Sequence, residues 1–428
     1  MAGNNMSKNV SQKVLQKFLP AFASDLVLTK TVNRQIIANK IDNTTGDSIQ
    51  IKRPHQFKTE ESDDGDLTGK DPSALVGATA TAKVGKYITV YVGWSQIEEA
   101  LELNQLSTIL SPIARTMATK LEDRIANFIL ANGALSIGNA GSGIKEWDEV
   151  SRAGALFKDM GQPGRKYAAL SPWSIAALAN KQTALANGDL NRSAWEKAQI
   201  PRNFAGLDAV FDANSLATRT TGQAAGVATL TVKTAPTIDY MTVKDTYQFT
   251  VPLTGATASV NGFLKAGDQL IFSATAWVNQ MNKQPIIGDS GDIIAFTCTV
   301  MADANSDASG NITVTCSGVP IYDAGLPQYN TVARAVTAGD AVMVRGAKGK
   351  LIKPSLFYTD SFMGLATIKL PKLHSIDSSV VSWNGLSIRA HKWSDGTKNG
   401  QFMRFDLLPA LACFNPMEGG QLAGGTAA

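Results

Sequence analysis

The placing of glutamate constrains this 428-residue chain more than any other feature. Glu stands at positions 60, 61, 98, 99, 102, 122, 146, 149 and 196, and then not again until Glu418. Glutamate favours helices and is depleted in strands. The front half is therefore expected to hold the helices and the back half to be β-rich. Residues 222–346 fit that division, being rich in Thr, Val, Ala, Gly and Asp, with alternation in Tyr247-Gln-Phe-Thr-Val251 and Asn311-Ile-Thr-Val-Thr-Cys316. Turn-forming glycines recur at Gly255, Gly262, Gly267, Gly288, Gly310 and Gly339. Short alternating strands at that spacing predict a small β-barrel or sandwich. Further strands are read at 365–370, 385–389 and 403–407, and the Gly/Ala-rich last ten residues read as a mobile tail.

In the front half, Val14, Leu15, Phe18 and Leu19 have helical spacing, and Pro20 is expected to end that helix. Strand-like runs at 48–52 and 87–92 flank an acidic stretch, 59–71, holding Glu60, Glu61, Asp63, Asp64, Asp66 and two glycines. Two strands around a long charged tip predict an extended hairpin arm, and connections this long are usually functional or disordered. Two helices follow in tandem. Ser95-Gln-Ile-Glu98 is a capping box, in which the Ser oxygen accepts an early backbone N–H and the Glu reaches back. Ser111-Pro112 is a second start signal, because the first turn has no use for the N–H that proline lacks.

From there Ile113, Met117, Leu121, Ile125, Phe128 and Ile129 hold one apolar face as far as a C-cap at Asn132-Gly133. Arg115, Lys120, Glu122 and Arg124 are expected on the opposite, charged side. At about 1.5 Å per residue this predicts a spine helix of roughly 30 Å. Between 145 and 199 short helices alternate with strand-like runs. There Tyr167-Ala-Ala-Leu170 precedes Ser171-Pro172, again a cap and first-turn pair, with a helix through Leu178.

Formal net charge is only +4, and the longest basic cluster, 345–350, is short. That argues against a dedicated nucleic-acid binder, which concentrates basic residues on one face or tail. The first twenty residues are polar and basic (Lys8, Lys13, Lys17), with no signal-like apolar core, and no run reaches the roughly 18 apolar residues of a membrane span. A cytosolic product is expected. The three cysteines, Cys298, Cys316 and Cys413, have neither metal-ligand nor redox spacing, and the first two lie in strand-like strings, so buried free thiols are expected.

Catalysis needs titratable groups gathered in a pocket. His55, His374 and His391 are scattered and read as structural. Gly138-Asn-Ala-Gly-Ser-Gly143 has the glycines of a phosphate loop, but Ile144 stands where its lysine belongs and Lys145 comes one late. It reads as a turn. Asp303-Ala-Asn-Ser-Asp307 begins like a calcium loop, but Ala308 replaces the needed glycine and Val314 the bidentate glutamate. It reads as a polar hairpin tip. No enzyme and no cofactor are expected.

The order of elements is N-terminal helix, acidic arm, spine helix, mixed segment, inserted β-domain and closing strands. Specific strings accompany it: Val10-Ser-Gln, Lys17-Phe-Leu-Pro20, Ser24-Asp-Leu-Val-Leu28, Lys52-Arg-Pro-His-Gln-Phe57, Asn104-Gln-Leu106, Asn132-Gly-Ala-Leu-Ser136, Ala198-Gln-Ile-Pro201, Leu264-Lys-Ala-Gly-Asp-Gln269, Pro371-Lys-Leu-His-Ser-Ile-Asp377 and Met403-Arg-Phe-Asp-Leu-Leu-Pro409. Over nearly its whole length the chain resembles the coat proteins of short-tailed phages of Salmonella and Shigella. The resemblance implies an α+β chain with the tailed-phage/herpesvirus capsid fold and an inserted β-barrel domain. It implies an N-terminal arm at 1–45, an extended loop at 46–93, and a peripheral domain with the spine helix at 94–135. An axial domain at 136–221, the barrel at 222–346 and return strands at 347–428 complete it.

The implied function is a major capsid protein forming hexamers and pentamers of a phage head assembled in the host cytoplasm. Its implied partners are further copies of itself, a scaffolding protein, a portal protein and, by non-specific proximity, packaged double-stranded DNA, with no membrane. Subunit contacts are expected at Lys58, Glu60, Glu61, Asp63, Asp64 and Asp66 on the arm. They are also expected at Asp239, Lys244 and Asp245 in a contact loop over 236–247. Two other classes remain for comparison. A surface adhesin or carbohydrate-binding module is suggested only by the Thr/Val-rich segment and would need an export signal. A metal- or phosphate-dependent enzyme would rest on the two defective motifs.

Overall fold

The computed structural model describes residues 15, 18–34, 48–95, 106–183, 188–226, 230–288, 290–372, 378–383, 385–397 and 400–425. Val14, the basic residues Lys8, Lys13 and Lys17, His374 and the 96–98 part of the capping box lie outside them. The chain divides into two compact units. Unit 1 comprises Met1–Ile51, Thr81–Ala126 and Met363–Cys413, and unit 2 comprises Lys52–Ala80, Asn127–Phe362 and Phe414–Ala428.

Two four-stranded sheets fall mainly in unit 1. In one, the order is Ser48–Lys52, Thr79–Val84, Pro409–Cys413, Met363–Thr367. In the other, Ser378–Trp383, Leu386–Asp395, Gly400–Leu407 and Ile88–Ser95 pair antiparallel throughout. The expected strand at 87–92 thus exists but is not the partner of 48–52. It takes Gly400–Leu407 instead, because that register places Ile88 beside Leu407 and Val90 beside Phe405 on one apolar face.

Helical residues 18–24 lay Phe18 on Phe405, with ring centroids 4.7 Å apart, and Phe22 one turn on. Pro20 therefore does not end this helix. Burial of Phe18, Phe22 and Leu26 carries the chain past the one hydrogen bond that proline forfeits.

Helix α1 (Leu106–Asn132) has 27 residues, about 40 Å. It belongs to unit 1 as far as Ala126 and to unit 2 beyond. The C-cap is where the sequence puts it, with Gly133 N–H donating to the Ile129 carbonyl at 2.9 Å. The start is not. Pro112 lies inside the helix, and burial of Leu110, Ile113, Ala114 and Met117 outweighs its missing bond.

A second correction concerns Glu122, which is 1% exposed rather than on a solvated face. Its carboxylate accepts from Leu28 N–H at 2.6 Å, Thr29 N–H at 2.9 Å and the Thr29 hydroxyl at 2.5 Å, closing the start of the 3-10 turn Leu28–Lys30. Burial pushes its carboxyl up, and the hydrogen bonds from Thr29, Leu28 and Val27 only partly offset that.

Unit 2 contains the expected barrel. Six strands close in the order Gln269–Ala276, Ala295–Val300, Ile312–Ser317, Gln248–Thr254, Leu230–Val232, Ala341–Val344. Alternation drives the closure: Phe249, Phe272 and Phe296 point inward, and Trp277 lies 4.6 Å from the Phe296 ring. Cys298 and Cys316 are buried free thiols as expected, while Cys413 is half-buried, and burial pushes the Cys298 thiol up. At the tip between two barrel strands, Asp307 accepts from the backbone N–H groups of Ser309 and Asn311, so its carboxylate organises a turn.

Unit 2 also contains a five-stranded sheet in the order Leu135–Ile137, Gly419–Leu422, Ser355–Thr359, Lys166–Leu170, Ala209–Asp212. Helices α2 (Trp147–Asp159), α3 (Pro172–Gln182) and α4 (Gly188–Lys197) accompany it. Ser171 caps α3 as its sequence predicts, accepting Ser174 N–H at 3.2 Å. The C-terminal glycines, expected to be mobile, are instead a buried internal strand through Leu422. A Cβ at Gly420 would lie 1.9 Å from the Leu135 carbonyl oxygen, so only glycine lets the backbones approach this closely. Gly138 has the same role opposite Ala423, which accounts for the first glycine of the false phosphate loop.

Candidate functional site

The acidic arm springs from unit 2. At its root Arg53 N–H donates to the Ala78 carbonyl at 2.8 Å and its Nε to the Thr79 carbonyl at 3.1 Å. Beyond this closure every residue from 59 to 72 is exposed. The expected hairpin ladder is absent over this stretch, where Pro72, Gly65, Gly69 and dense charge disfavour strand pairing. Side chains tie the two legs together instead. Ser73 Oγ accepts Lys58 N–H at 3.0 Å, Lys70 Nζ donates to the Glu61 carbonyl at 2.5 Å, and Glu60 bridges Lys58 at 2.8 Å and Lys70 at 3.5 Å.

At the tip, Asp64 accepts Asp66 N–H at 3.0 Å and Asp66 accepts Thr68 N–H at 2.9 Å. These two turns are completed by Gly65 and Gly69 at positive φ. The Lys58 bond, with Lys70, holds the Glu60 carboxyl below its ordinary range, and Thr68 does the same for Asp66. The arm thus presents Glu60, Glu61, Asp63, Asp64, Asp66 and Asp71 against Lys58 and Lys70, with Leu67 56% and Phe57 62% exposed among them. Charged and apolar side chains thus stand together in water along the arm.

The segment 236–247 lies at the arm's root. Asp239 caps α5 (Tyr240–Val243) by accepting Met241 N–H at 2.8 Å. Asp245 pairs with Lys244 at 2.7 Å and accepts from Thr79 N–H at 2.8 Å and its hydroxyl at 3.0 Å. Those partners, Lys244 first, keep the Asp245 carboxyl below its ordinary range.

Three further contacts complete a clamp that the sequence did not reveal. The Arg53 guanidinium lies 4.2 Å over the Tyr247 ring, Lys283 Nζ donates to Gln56 Oε1 at 3.1 Å, and Gln328 Nε2 donates to the Ala74 carbonyl at 3.2 Å. Burial brings the Lys283 amine down to about 8. The fold therefore brings Asp245 to the arm but leaves Asp63, Asp64 and Asp66 at the far tip. Nothing local in Arg53-Pro54-His55, at the root, ties it to residues some two hundred positions on. Among the described residues no group of three His, Cys, Asp or Glu could hold a metal ion, and no helix is long and apolar enough to cross a membrane.

Residues 1–424 match the family described as P22 coat protein, gene protein 5. The chain is 54% identical over 423 residues to the major capsid protein of Acyrthosiphon pisum secondary endosymbiont phage 1, covering 98% of this chain and 99% of that protein. Looser likenesses reach solved structures. The structure titled Mycobacterium phage Che8 gives a TM-score of 0.42 at 10% identity, over 92% of this chain and 90% of that one. The capsid of the Cyanophage P-SCSP1u gives 0.40 at 12% identity, over 90% and 86%. Membership rests on the two sequence matches. The chain belongs to the P22 coat protein family and is a phage major capsid protein, a component of the icosahedral capsid shell.

Proposed function

We propose that this coat protein assembles as hexamers and pentamers, around a scaffolding protein, into a head that expands as double-stranded DNA is packaged. A portal protein occupies one position of that shell, and assembly takes place in the host cytoplasm. In this reading the chain has the tailed-phage capsid fold of the short-tailed Salmonella and Shigella type, with residues 1–45 as N-terminal arm, 46–93 as extended loop and 222–346 as inserted domain. DNA is met only by proximity, in keeping with a net charge of +4.

The observation that carries the reading is the arm. A compact fold gains nothing from a fully exposed stretch at 59–72 that is braced by its own ion pairs and clamped at its root. Neighbouring copies supply its use. Lys58, Glu60, Glu61, Asp63, Asp64 and Asp66 are the contacts at the tip, and Asp239, Lys244 and Asp245 serve at the root, where Asp245 already engages Thr79. Substituting Asp63, Asp64 and Asp66 by Lys together tests this. The unassembled protein should melt within about 2 °C of wild type, since loop-tip charges contribute little to the fold. Shell formation with the cognate scaffold should fail, because like charges set against a complementary partner are costly. Normal shells would remove the tip from the contacts.

A further inference from the structure

Three of the chain's seven tryptophans are exposed on one helical layer of unit 2: Trp147 on α2 at 57%, Trp173 on α3 at 86% and Trp195 on α4 at 83%. Each of these helices buries other side chains. α2 buries Val150, Ala153, Leu156 and Phe157, α3 buries Ile175, Leu178 and Ala179, and α4 buries Ala194. The tryptophans are surplus to the core and stand outside it. Tryptophan is highly buried on average, and it is enriched at the energetic centres of protein interfaces.

The helices form a connected surface. α3 packs against α4, and Lys181 in the last turn of α3 reaches Glu146, the N-cap of α2, at 2.7 Å. Two more ion pairs lie within these helices: Arg152 pairs with Asp148 at 2.9 Å and Arg192 with Glu196 at 2.9 Å. Aromatic side chains among self-neutralised ion pairs are the composition of an interface core with a polar rim. A polyanion would require an excess of unmatched cations, which these pairs do not provide.

We infer that the face carrying Trp147, Trp173 and Trp195 is a contact surface for a second copy of this chain. In a shell the lateral surroundings of each subunit are other copies, so the inference rests on the capsid function and adds to it a named face. The area is in proportion. At roughly 250 Å² per tryptophan, the exposed parts of the three supply about 570 Å², more than half of the ~800 Å² per partner of a standard interface.

The test compares wild-type protein with the W147F/W173F/W195F variant in acrylamide quenching of tryptophan fluorescence, before and after assembly with the cognate scaffold. The difference signal isolates the three residues. It should be quenched freely in the unassembled protein and shielded several-fold in shells stripped of scaffold. The W173A/W195A variant should keep the wild-type circular dichroism and melting temperature, because both side chains stand in water, while shell yield falls about tenfold. The inference is overturned if the difference signal is quenched equally in shells, or if shielding vanishes when scaffold is stripped, which would make another protein the occupant. Wild-type shells with open tryptophans refute this face alone, whereas absence of wild-type shells refutes the assembly reading itself.

Discussion

Removing the Asp406 carboxylate should be among the most damaging single changes in unit 1. Asp406 is 0% exposed, on the strand Gly400–Leu407. It accepts from Arg389 Nε at 3.1 Å and Nη2 at 2.7 Å, Arg404 Nε at 3.0 Å and Nη2 at 2.6 Å, and the Thr89 hydroxyl at 2.7 Å. These donors come from its own strand and the strand on either side, so the carboxylate fastens three of the sheet's four strands together. Asp406→Ala leaves Arg389, 7% exposed, with the Pro371 carbonyl at 3.1 Å as the remaining oxygen partner that its geometry shows.

Orphaning a buried charge costs about 3–5 kcal/mol. Arg404 contributes little to that figure, because its side chain is 35% exposed and can turn to water. For a unit of this size each kcal/mol moves the melting temperature by about 2–4 °C, so a fall of roughly 10 °C is expected. Thermal melts of the unassembled variant by circular dichroism read it directly. The double variant R389M/D406L, which buries no charge there, should melt closer to wild type than D406A. A D406A melt within about 2 °C of wild type, or a double variant as damaged as the single one, would refute the reasoning. The pH dependence has a definite sign. Burial alone would raise the Asp406 carboxyl, but Arg404, Arg389 and Thr89 outweigh it and hold it below its ordinary range. Its contribution is therefore complete above the unfolded value, about pH 4, and is lost as pH falls through the folded one.

Glu122 should behave oppositely, because its folded carboxyl is raised above the unfolded value: its burial weakens unit 1 as pH rises from about 4 through the folded value. Melting profiles of wild type and E122Q from pH 4 upward should differ in slope there, and parallel profiles would contradict the assignment. Gly420→Ala should cost about 3 kcal/mol, from backbone overlap at the Leu135 carbonyl, whereas Gly143→Ala, which meets open space, should melt like wild type. Asp245→Ala removes both Thr79 bonds from the arm's clamp, so hydrogen exchange over 54–79 should quicken several-fold while the barrel stays protected. Unchanged exchange would show that Asp245 does not hold the arm.

Features set by local chemistry were legible in the sequence. Ser171-Pro172 starts α3 because hydroxyl and ring act within one turn, and Gly133 ends α1 for the same kind of reason. The barrel was legible because inward-facing side chains recur at every second residue. What failed depended on distant partners. Glu122 reads as a surface residue until a segment more than ninety residues earlier lays its N–H groups on it. Gly420 reads as slack until the Leu135 backbone of the neighbouring strand crowds it. The arm's charge was visible at once, but its clamp joins residues 53–79 to Asp245, Tyr247, Lys283 and Gln328 through single contacts that leave no periodic trace.

The most direct measurement of the central claim is electron microscopy of the protein co-expressed with its cognate scaffolding protein. Closed shells of uniform diameter, whose reconstruction resolves hexamers and pentamers with residues 54–78 lying against a neighbouring copy, are the expected result. Monodisperse small oligomers under the same conditions, or shells in which that arm touches no neighbour, would contradict it.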